Sequence, residues 1–201
     1  MKKRITILLL LSLMLLTFSG CGGSSLDKLK ESAKQSKLEA DKSREFAYEK
    51  LKEGLKKYFV LNVERRNLSI KYKDPKGLVD EKTNKPITNM WDISAEVNNE
   101  SLGNIIYIEC MYNADIDDMT MMYLEDNQRR TEKRIDPKEG KVISDKFIKE
   151  KLPKVKDVSF INVTQDKEKN ITKYEYSTEG GKKLFIGINN NTEKITFFEL
   201  K

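Results

Sequence analysis

Short runs of alternating apolar and polar residues fill the C-terminal part of the chain, and this pattern most restricts the fold. The runs are separated by turns that contain Asn, Asp, Gly or Lys. Alternation with a period of two is typical of strands with one buried face, and short turns between successive strands favour antiparallel pairing. The sequence therefore predicts an antiparallel sheet with strands at 158–164, 171–177, 183–189 and 194–200.

A short helix is predicted over 144–152, directly before this sheet. Ser144 can accept hydrogen bonds from N–H groups of the first turn, and Pro153 ends the helix because proline lacks an N–H. The charged stretch 125–141 before it contains proline and glycine and is interpreted as a linker. A helix followed by a meander of strands is thus the predicted order of a unit at 142–201.

The same order is predicted for a first unit at 44–131. Residues 26–59 contain no proline and a single glycine and are rich in Lys, Glu, Ala and Leu, which favours a helix. The second half of this helix has the denser apolar face, and we expect that face to pack on the sheet. The predicted fold class is α+β: a helical stalk at 21–43, followed by one or two helix-on-antiparallel-sheet units. The first unit's strands are predicted at 68–72, 91–97 and 105–112.

Methionines follow the third of these strands. Met119 and Met122 recur at helical spacing behind Asp117 or Asp118, either of which could cap a helix, so a helix is predicted here. Such a face can line an adaptable binding surface, although core filling is the favoured interpretation. The possible binding surface consists of Met119, Met121, Met122 and Tyr123.

Acidic residues in the same segment raise the question of a calcium site. An EF-hand loop requires oxygen ligands at alternate positions and a glycine at the sixth position. The segment has Met119 where a third ligand is needed, and it lacks the glycine. No metal site is therefore predicted. The acidic residues in question are Asp115, Asp117, Asp118 and Glu125.

The chain begins with a short basic head and an apolar run. Residues 2–4 are Lys, Lys and Arg, and residues 5–18 read ITILLLLSLMLLTF. The run is shorter than the ~20 residues that a bilayer-spanning helix requires, so a cleavable export signal over 1–20 is predicted. Ser, Gly and Cys21 close the run, and two glycines follow. This ending resembles the lipobox of bacterial lipoproteins.

The lipobox resemblance implies that the thiol of Cys21 carries a diacylglyceryl group and that signal peptidase II cuts just before this residue. Acyl chains such as palmitate hold a protein on a bilayer at ~0.8 kcal/mol per buried CH2, and two chains give stable retention. We therefore expect a lipid-anchored protein on the extracytoplasmic face of the cell membrane. Residues 21–43 would be its tether and stalk.

Charge and residue usage narrow the classes of function. The formal charge is +6, but basic and acidic residues are equal in number from 59 to 201, so the excess lies near the membrane anchor. Basic residues there favour anionic headgroups, and no nucleic-acid partner is predicted. Histidine is absent, which removes Ser-His and Cys-His catalytic pairs and His-containing zinc sites. No cofactor is predicted.

Cys110 is the one thiol besides the predicted lipidated cysteine, so no intramolecular disulfide is expected. It lies in an apolar run over 105–112. A small buried residue is therefore the predicted role of Cys110, rather than a nucleophile.

Residues 144–200 resemble the PepSY domain. The resemblance is carried by LPKV at 152–155, where the helix leaves for the sheet, and by the last hairpin, IGINNNTEKI at 186–195. The family often has Asp where this chain has Asn189, and Gly where it has Glu193. The resemblance implies a non-catalytic domain that binds or restrains an extracytoplasmic protease or envelope protein.

The predicted function is a lipid-anchored binding or inhibitory module that acts on a protease or envelope protein. Its partners would be the membrane, through the lipid anchor, and a protein or peptide outside the cytoplasm. One alternative is an immunity or stress lipoprotein that sequesters a membrane-active peptide. Another is a carboxylate-based hydrolase, against which the lack of histidine counts. A pocket with convergent carboxylates would favour the enzyme, and a closed core with an exposed apolar sheet face would favour binding.

Overall fold

The computed structural model describes residues 24–75, 89–98, 101–128 and 133–201. The predicted export signal and Cys21 lie outside these residues, and lipidation stays a prediction. The chain divides into two units, Met1–Lys42 and Ser43–Lys201. The second unit contains every strand among the described residues.

The first helix, α1, spans Ser24–Gly54 and continues as one π-helical turn over Leu55–Phe59. Side chains from 30 to 42 are exposed throughout, which agrees with the thin apolar stripe in that part of the sequence. In the described chain, no helix combines the length and apolar character needed to cross a bilayer. The second half carries the dense face predicted to pack on the sheet, with fully buried side chains at Ala47, Leu51 and Leu55.

Four strands follow α1 and form an antiparallel meander. They are β1 (Leu68–Lys73), β2 (Met90–Val97), β3 (Ile105–Asn113) and β4 (Asp118–Asp126). The first three confirm the strands predicted from the alternating pattern. Each pairs with its neighbour in sequence.

The predicted helix after the third strand is wrong, because this segment forms β4. The pairing with β3 shifts register between Met111 and Tyr112, and Thr120 is left as an extra residue in β4. Because of this β-bulge, two consecutive buried positions of β4 are three residues apart instead of two. Met119 and Met122 are both buried and three residues apart, which imitates one face of a helix.

The second helix, α2, spans Pro137–Lys151, so the predicted start at Ser144 is also wrong. Asp136 caps it, because its Oδ1 accepts hydrogen bonds from the backbone N–H of Lys138 (2.8 Å) and of Glu139 (3.1 Å). Ser144 is fully buried inside the helix. The last residues of the predicted charged linker are therefore helical. Pro137 lies in the first turn of α2, where no N–H is required.

The last four strands are β5 (Ser159–Asp166), β6 (Ile171–Ser177), β7 (Lys183–Asn189) and β8 (Ile195–Leu200). They agree with the strands predicted from the sequence. The strand order is β1-β2-β3-β4-β8-β7-β6-β5, and every neighbouring pair is antiparallel. Because β4 pairs with β8, the two meanders form one eight-stranded sheet.

Phe198 of β8 shows how the two helical segments share one core. Its ring centroid lies 4.5 Å from that of Tyr58 in the π-helical turn and 5.9 Å from that of Phe147 in α2. Phe198 is itself fully buried. The chain thus has an α+β fold in which the end of α1 and the whole of α2 pack on a continuous antiparallel sheet.

Candidate functional site

A cavity of about 460 Å3 lies at one end of the sheet in the second unit. Its walls come from the π-helical turn, the β3–β4 turn, the loop after α2 and the β6–β7 turn. Its volume falls within the range of about 300–1,000 Å3 typical of ligand pockets, which are mostly apolar with a few polar groups. The apolar lining consists of Tyr58, Ile116, Met119, Leu152, Pro153, Val155, Phe198 and Leu200.

Backbone hydrogen bonds fix the two loops that form the outer wall. The N–H of Glu179 in the β6–β7 turn donates to the carbonyl of Lys156 in the loop after α2 (3.0 Å). The turn itself closes through the N–H of Thr178, which donates to the carbonyl of Lys182 (2.9 Å). Gly180 permits this turn because its φ of 74° is in the left-handed region that side chains disfavour. The cavity wall is thus built from loops that hold each other in place.

Lysines surround the apolar lining. Lys57 forms an ion pair with Asp118, with Nζ 2.6 Å from the carboxylate. The other lysines of the lining, those at 151, 154, 156 and 182, form no ion pair within 4.0 Å among the residues that the structure describes. The acidic lining residues are Asp118 and Glu179. The cavity therefore combines an apolar interior with an excess of positive charge.

Asp118 lines the cavity and accepts several hydrogen bonds. Tyr58 Oη donates to its Oδ1, and the backbone N–H of Met119 donates to the same oxygen at 2.9 Å. Burial alone would raise the pKa of Asp118, but the hydrogen bonds from Lys57, Tyr58 and Met119 outweigh it and lower the pKa. Burial, followed by the bond to Asp118, raises the pKa of Tyr58 well above its ordinary value.

The neighbouring carboxylate, Asp117, is engaged in the same way. It accepts hydrogen bonds from Tyr112 Oη (2.6 Å) and Lys50 Nζ (2.9 Å). The bond from Tyr112 and then the bond and charge of Lys50 lower the pKa of Asp117. The bond to Asp117 raises the pKa of Lys50, and burial raises the pKa of Tyr112. These contacts tie α1 to the β3–β4 turn.

The lowered pKa values of these two carboxyl groups favour a structural role over a role in proton transfer. A general acid or base works best with a pKa near the working pH, and carboxylates reach that range through burial or like-charge repulsion. Asp117 and Asp118 show the opposite shift, because cationic and phenolic donors stabilise their ionised forms. Both remain charged, and both are already hydrogen-bonded within the fold.

The four residues of the predicted binding surface do not form a common exposed patch. Met119 and Met122 are in the hydrophobic core, Tyr123 is buried, and Met121 is half-buried. Of these four, Met119 alone lines the cavity. Core filling, the interpretation favoured from the sequence, therefore holds for both Met119 and Met122. Cys110, predicted to pack in a strand, is fully buried in β3.

The sequence interpretation missed the lysines of the cavity. Three of them occur in KLPKVK at 151–156, where lysine alternates with apolar residues just after a helix. This alternation of lysine and apolar residues indicates a site, because the apolar side chains of such a loop must pack against another part of the fold. It cannot by itself indicate the other walls, which come from distant parts of the chain.

A second cavity of about 640 Å3 lies near the β7–β8 hairpin, and its acidic lining residues have partners within the fold. Asp126 accepts a hydrogen bond from Asn189 Nδ2 at 2.7 Å, and Glu193 forms an ion pair with Lys133 at 2.7 Å. These polar groups therefore already have partners within the fold. The first cavity, with its unpaired lysines, is the better candidate for a functional site.

Comparison with known proteins does not assign this chain to a family. No protein-family model matches the sequence, and no curated protein is significantly similar to it. A solved structure, the C-terminal domain of Bacillus megaterium YpeB, is similar with a TM-score of 0.49 and 9% sequence identity. The aligned region covers 77% of this chain and 61% of that one.

Proposed function

We propose that this chain is a lipid-anchored, extracytoplasmic binding module that is not an enzyme and that restrains a protease or another envelope protein. The single observation that carries the proposal is the apolar cavity with its unpaired lysines. A concave apolar surface with a few fixed polar groups is the form that binding sites usually take. The lipid anchor at Cys21 and the tether at 21–43 would present this site to partners at the membrane surface.

The contacts between the walls support a binding role. The Glu179–Lys156 backbone bond joins the loops of the outer wall, and the Lys57–Asp118 ion pair joins the π-helical turn to β4. A site that is already formed loses little conformational entropy when a partner enters, and this increases affinity. The walls therefore favour binding of a partner without a large rearrangement of the cavity.

The last hairpin supports the PepSY resemblance at the two positions where the sequence departs from the family pattern. Asn189 Oδ1 accepts hydrogen bonds from the backbone N–H of Asn191 (2.9 Å) and Thr192 (3.1 Å), as an Asp carboxylate could. Glu193 has a φ of 56°, the left-handed conformation that glycine favours. Asn189 therefore makes the hydrogen bonds that the Asp of the family pattern could make, and Glu193 has the backbone conformation that its Gly would favour.

The alternatives fit the geometry less well. Many membrane-active peptides are rich in Lys and Arg, and the lysines of the cavity would repel them. A carboxylate-based hydrolase needs an acid whose pKa is raised, whereas the pKa values of both Asp117 and Asp118 are lowered by their donors. Binding of a protein partner is therefore the function that the geometry supports best.

Capture of a partner by the intact lipoprotein tests this proposal. Ile116 is half exposed on the cavity lining, whereas Val142 is exposed on α2 and lies outside the linings of the cavities described above. Ile116→Gln should weaken capture of a specific envelope protein from solubilised membranes by about tenfold, since it removes one apolar contact. Val142→Gln is the matched control and should leave capture unchanged. Equal capture by all three proteins would contradict the proposal.

The location is tested separately. Cys21→Ser should abolish incorporation of a lipid label and release the protein from the membrane or leave it with an uncleaved signal. Continued labelling of this variant would overturn the proposed anchor without affecting the proposal for the cavity.

A further inference from the structure

Positive charge exceeds negative charge in the lining of the cavity. Lys151, Lys154, Lys156 and Lys182 contribute to the lining without an ion pair among the described residues. Of the acidic lining residues, Asp118 is already bound by Lys57, which leaves Glu179. Lysines without an ion pair among the described residues also occur elsewhere, for example Lys146 and Lys149 on α2. The four lysines of the lining differ from these in lying beside an apolar cavity.

An apolar wall strengthens the attraction of these lysines for an anion. Charges beside a low-dielectric surface interact more strongly than charges in bulk water, and clefts lined by one sign of charge concentrate their field. The stems of the lysines can lie along apolar side chains while their ammonium groups reach the opening. A ligand that places an apolar group in the cavity and carboxylates at its mouth would satisfy both features.

We infer that the cavity accepts a peptide segment of the partner in which a large apolar side chain is flanked by carboxylate side chains. This inference rests on the proposed function and names the chemistry of the partner. The apolar side chain packs against Ile116, Pro153 and Val155, which are accessible apolar residues of the lining, and the carboxylates bind the lysines beside them. The partner is thus an acidic and apolar segment of an extracytoplasmic protein.

A peptide fits the remaining polar group better than a fatty acid does. The carboxylate of Glu179 accepts no hydrogen bond from the residues that the structure describes, and its backbone N–H is already used by Lys156. A peptide offers several backbone N–H donors to this carboxylate, whereas an ionised fatty acid offers none. Glu179 repels a carboxylate of any ligand, but it can accept hydrogen bonds from the backbone N–H groups of a peptide.

The direct test is binding of short labelled peptides to the full lipoprotein in nanodiscs of neutral phosphatidylcholine, measured by fluorescence polarisation. The probe has the sequence Glu-Glu-Phe-Leu-Glu-Glu. Two matched peptides replace either the glutamates by glutamines or the Phe-Leu pair by Ser-Ser. The acidic apolar probe should bind about tenfold more tightly than either matched peptide, and added salt should weaken it.

Charge-reversed variants locate the binding. Lys154→Glu with Lys156→Glu should weaken binding of the acidic probe by at least about tenfold. Lys146→Glu with Lys149→Glu makes the same change of net charge on exposed residues of α2 outside the cavity lining, and it should leave binding within about twofold of the parent protein. Equal losses in both double variants would overturn the inference, since they would indicate net charge alone.

The remaining outcomes separate the inference from the proposed function. If the glutamine peptide binds as well as the acidic probe and both are weakened by Ile116→Gln, the cavity binds peptides but the acidic partner is wrong. If no peptide binds while decanoate or phosphatidylglycerol vesicles bind through Lys154 and Lys156, the ligand is a lipid and the inference is overturned. If nothing binds at the cavity, the proposed function fails as well.

Discussion

Lys57 Nζ lies 2.6 Å from a carboxylate oxygen of Asp118, and this ion pair joins the π-helical turn to the first residue of β4. Both residues line the cavity. Asp118 is mostly buried, and Tyr58 donates a further hydrogen bond to it. One contact thus links the position of α1 on the sheet to the shape of the candidate site.

The lowered pKa of Asp118 gives a pH dependence with a definite sign. The unfolded state binds the proton more readily, because the carboxyl there has its ordinary pKa of 3.8. Stability from Asp118 should therefore be fully present above about pH 4 and be lost as the pH falls through the lower pKa of the folded state. Urea unfolding from pH 7 to pH 3 should show Asp118→Asn to be less stable at pH 7, with a smaller difference at pH 3. A difference independent of pH would contradict this account.

Two buried tyrosines on β6 should respond in opposite ways to loss of the hydroxyl. Tyr176 Oη donates to Asp145 at 2.9 Å, whereas the Tyr174 hydroxyl has no hydrogen-bond partner in the described part of the chain. Burial raises the pKa of Tyr174 to about 12. Tyr176→Phe should lower the free energy of unfolding by about 1 kcal/mol, and Tyr174→Phe should leave it unchanged or raise it. A larger loss for Tyr174→Phe in denaturant titrations would show that this hydroxyl has a partner, such as a water molecule.

The buried thiol of Cys110 should be inert. Burial, with a smaller effect from the nearby charges of Asp92 and Glu109, raises its pKa, so little thiolate forms near neutral pH. Cys110→Ala should lower the free energy of unfolding by about 1 kcal/mol through a small cavity and leave binding intact. Modification of the native protein by a thiol reagent should be slow until denaturant is added. Rapid modification of the native thiol would contradict the buried position.

The local order of the fold could be predicted from the sequence because it depends on neighbouring residues. Alternation of apolar and polar side chains is a property of each strand alone, and it located the strands on either side of β4 correctly. The bulge at Thr120 interrupted that alternation, and the spacing of Met119 and Met122 then favoured a helix. The capping role of Asp136 is not evident from the sequence, because the charge-rich stretch around it favours a linker.

The candidate site could not be predicted in the same way. Its lining joins residues near 57, 116, 153, 179 and 198, which meet only because β4 pairs with β8. That pairing brings together two meanders that are far apart in the chain, and no local pattern specifies it. The lysines at 151–156 were visible in the sequence, but their importance depends on the apolar residues that the rest of the fold places beside them.

The exposed part of α1 should be dispensable for folding. Side chains from 30 to 42 are exposed, whereas Ala47 and Leu51 are fully buried. A protein that begins at residue 43 should therefore melt at the same temperature as one that begins at residue 21. One that begins at residue 60 loses Leu51, Leu55 and Tyr58 from the core and should melt far lower or fail to fold. Equal melting temperatures for the proteins that begin at residues 43 and 60 would mean that the core closes without α1.

Backbone amide shifts measured by NMR would show whether the cavity is a binding site. Residues 43–201, labelled with 15N, would be titrated with the acidic apolar peptide. If the peptide binds in the cavity, the amides of Ile116, Leu152, 154–156 and 178–182 should show saturable shifts, with the outer sheet residue Phe185 unaffected. Shifts centred on Phe185 or on β5, with none along the cavity wall, would contradict binding in the cavity.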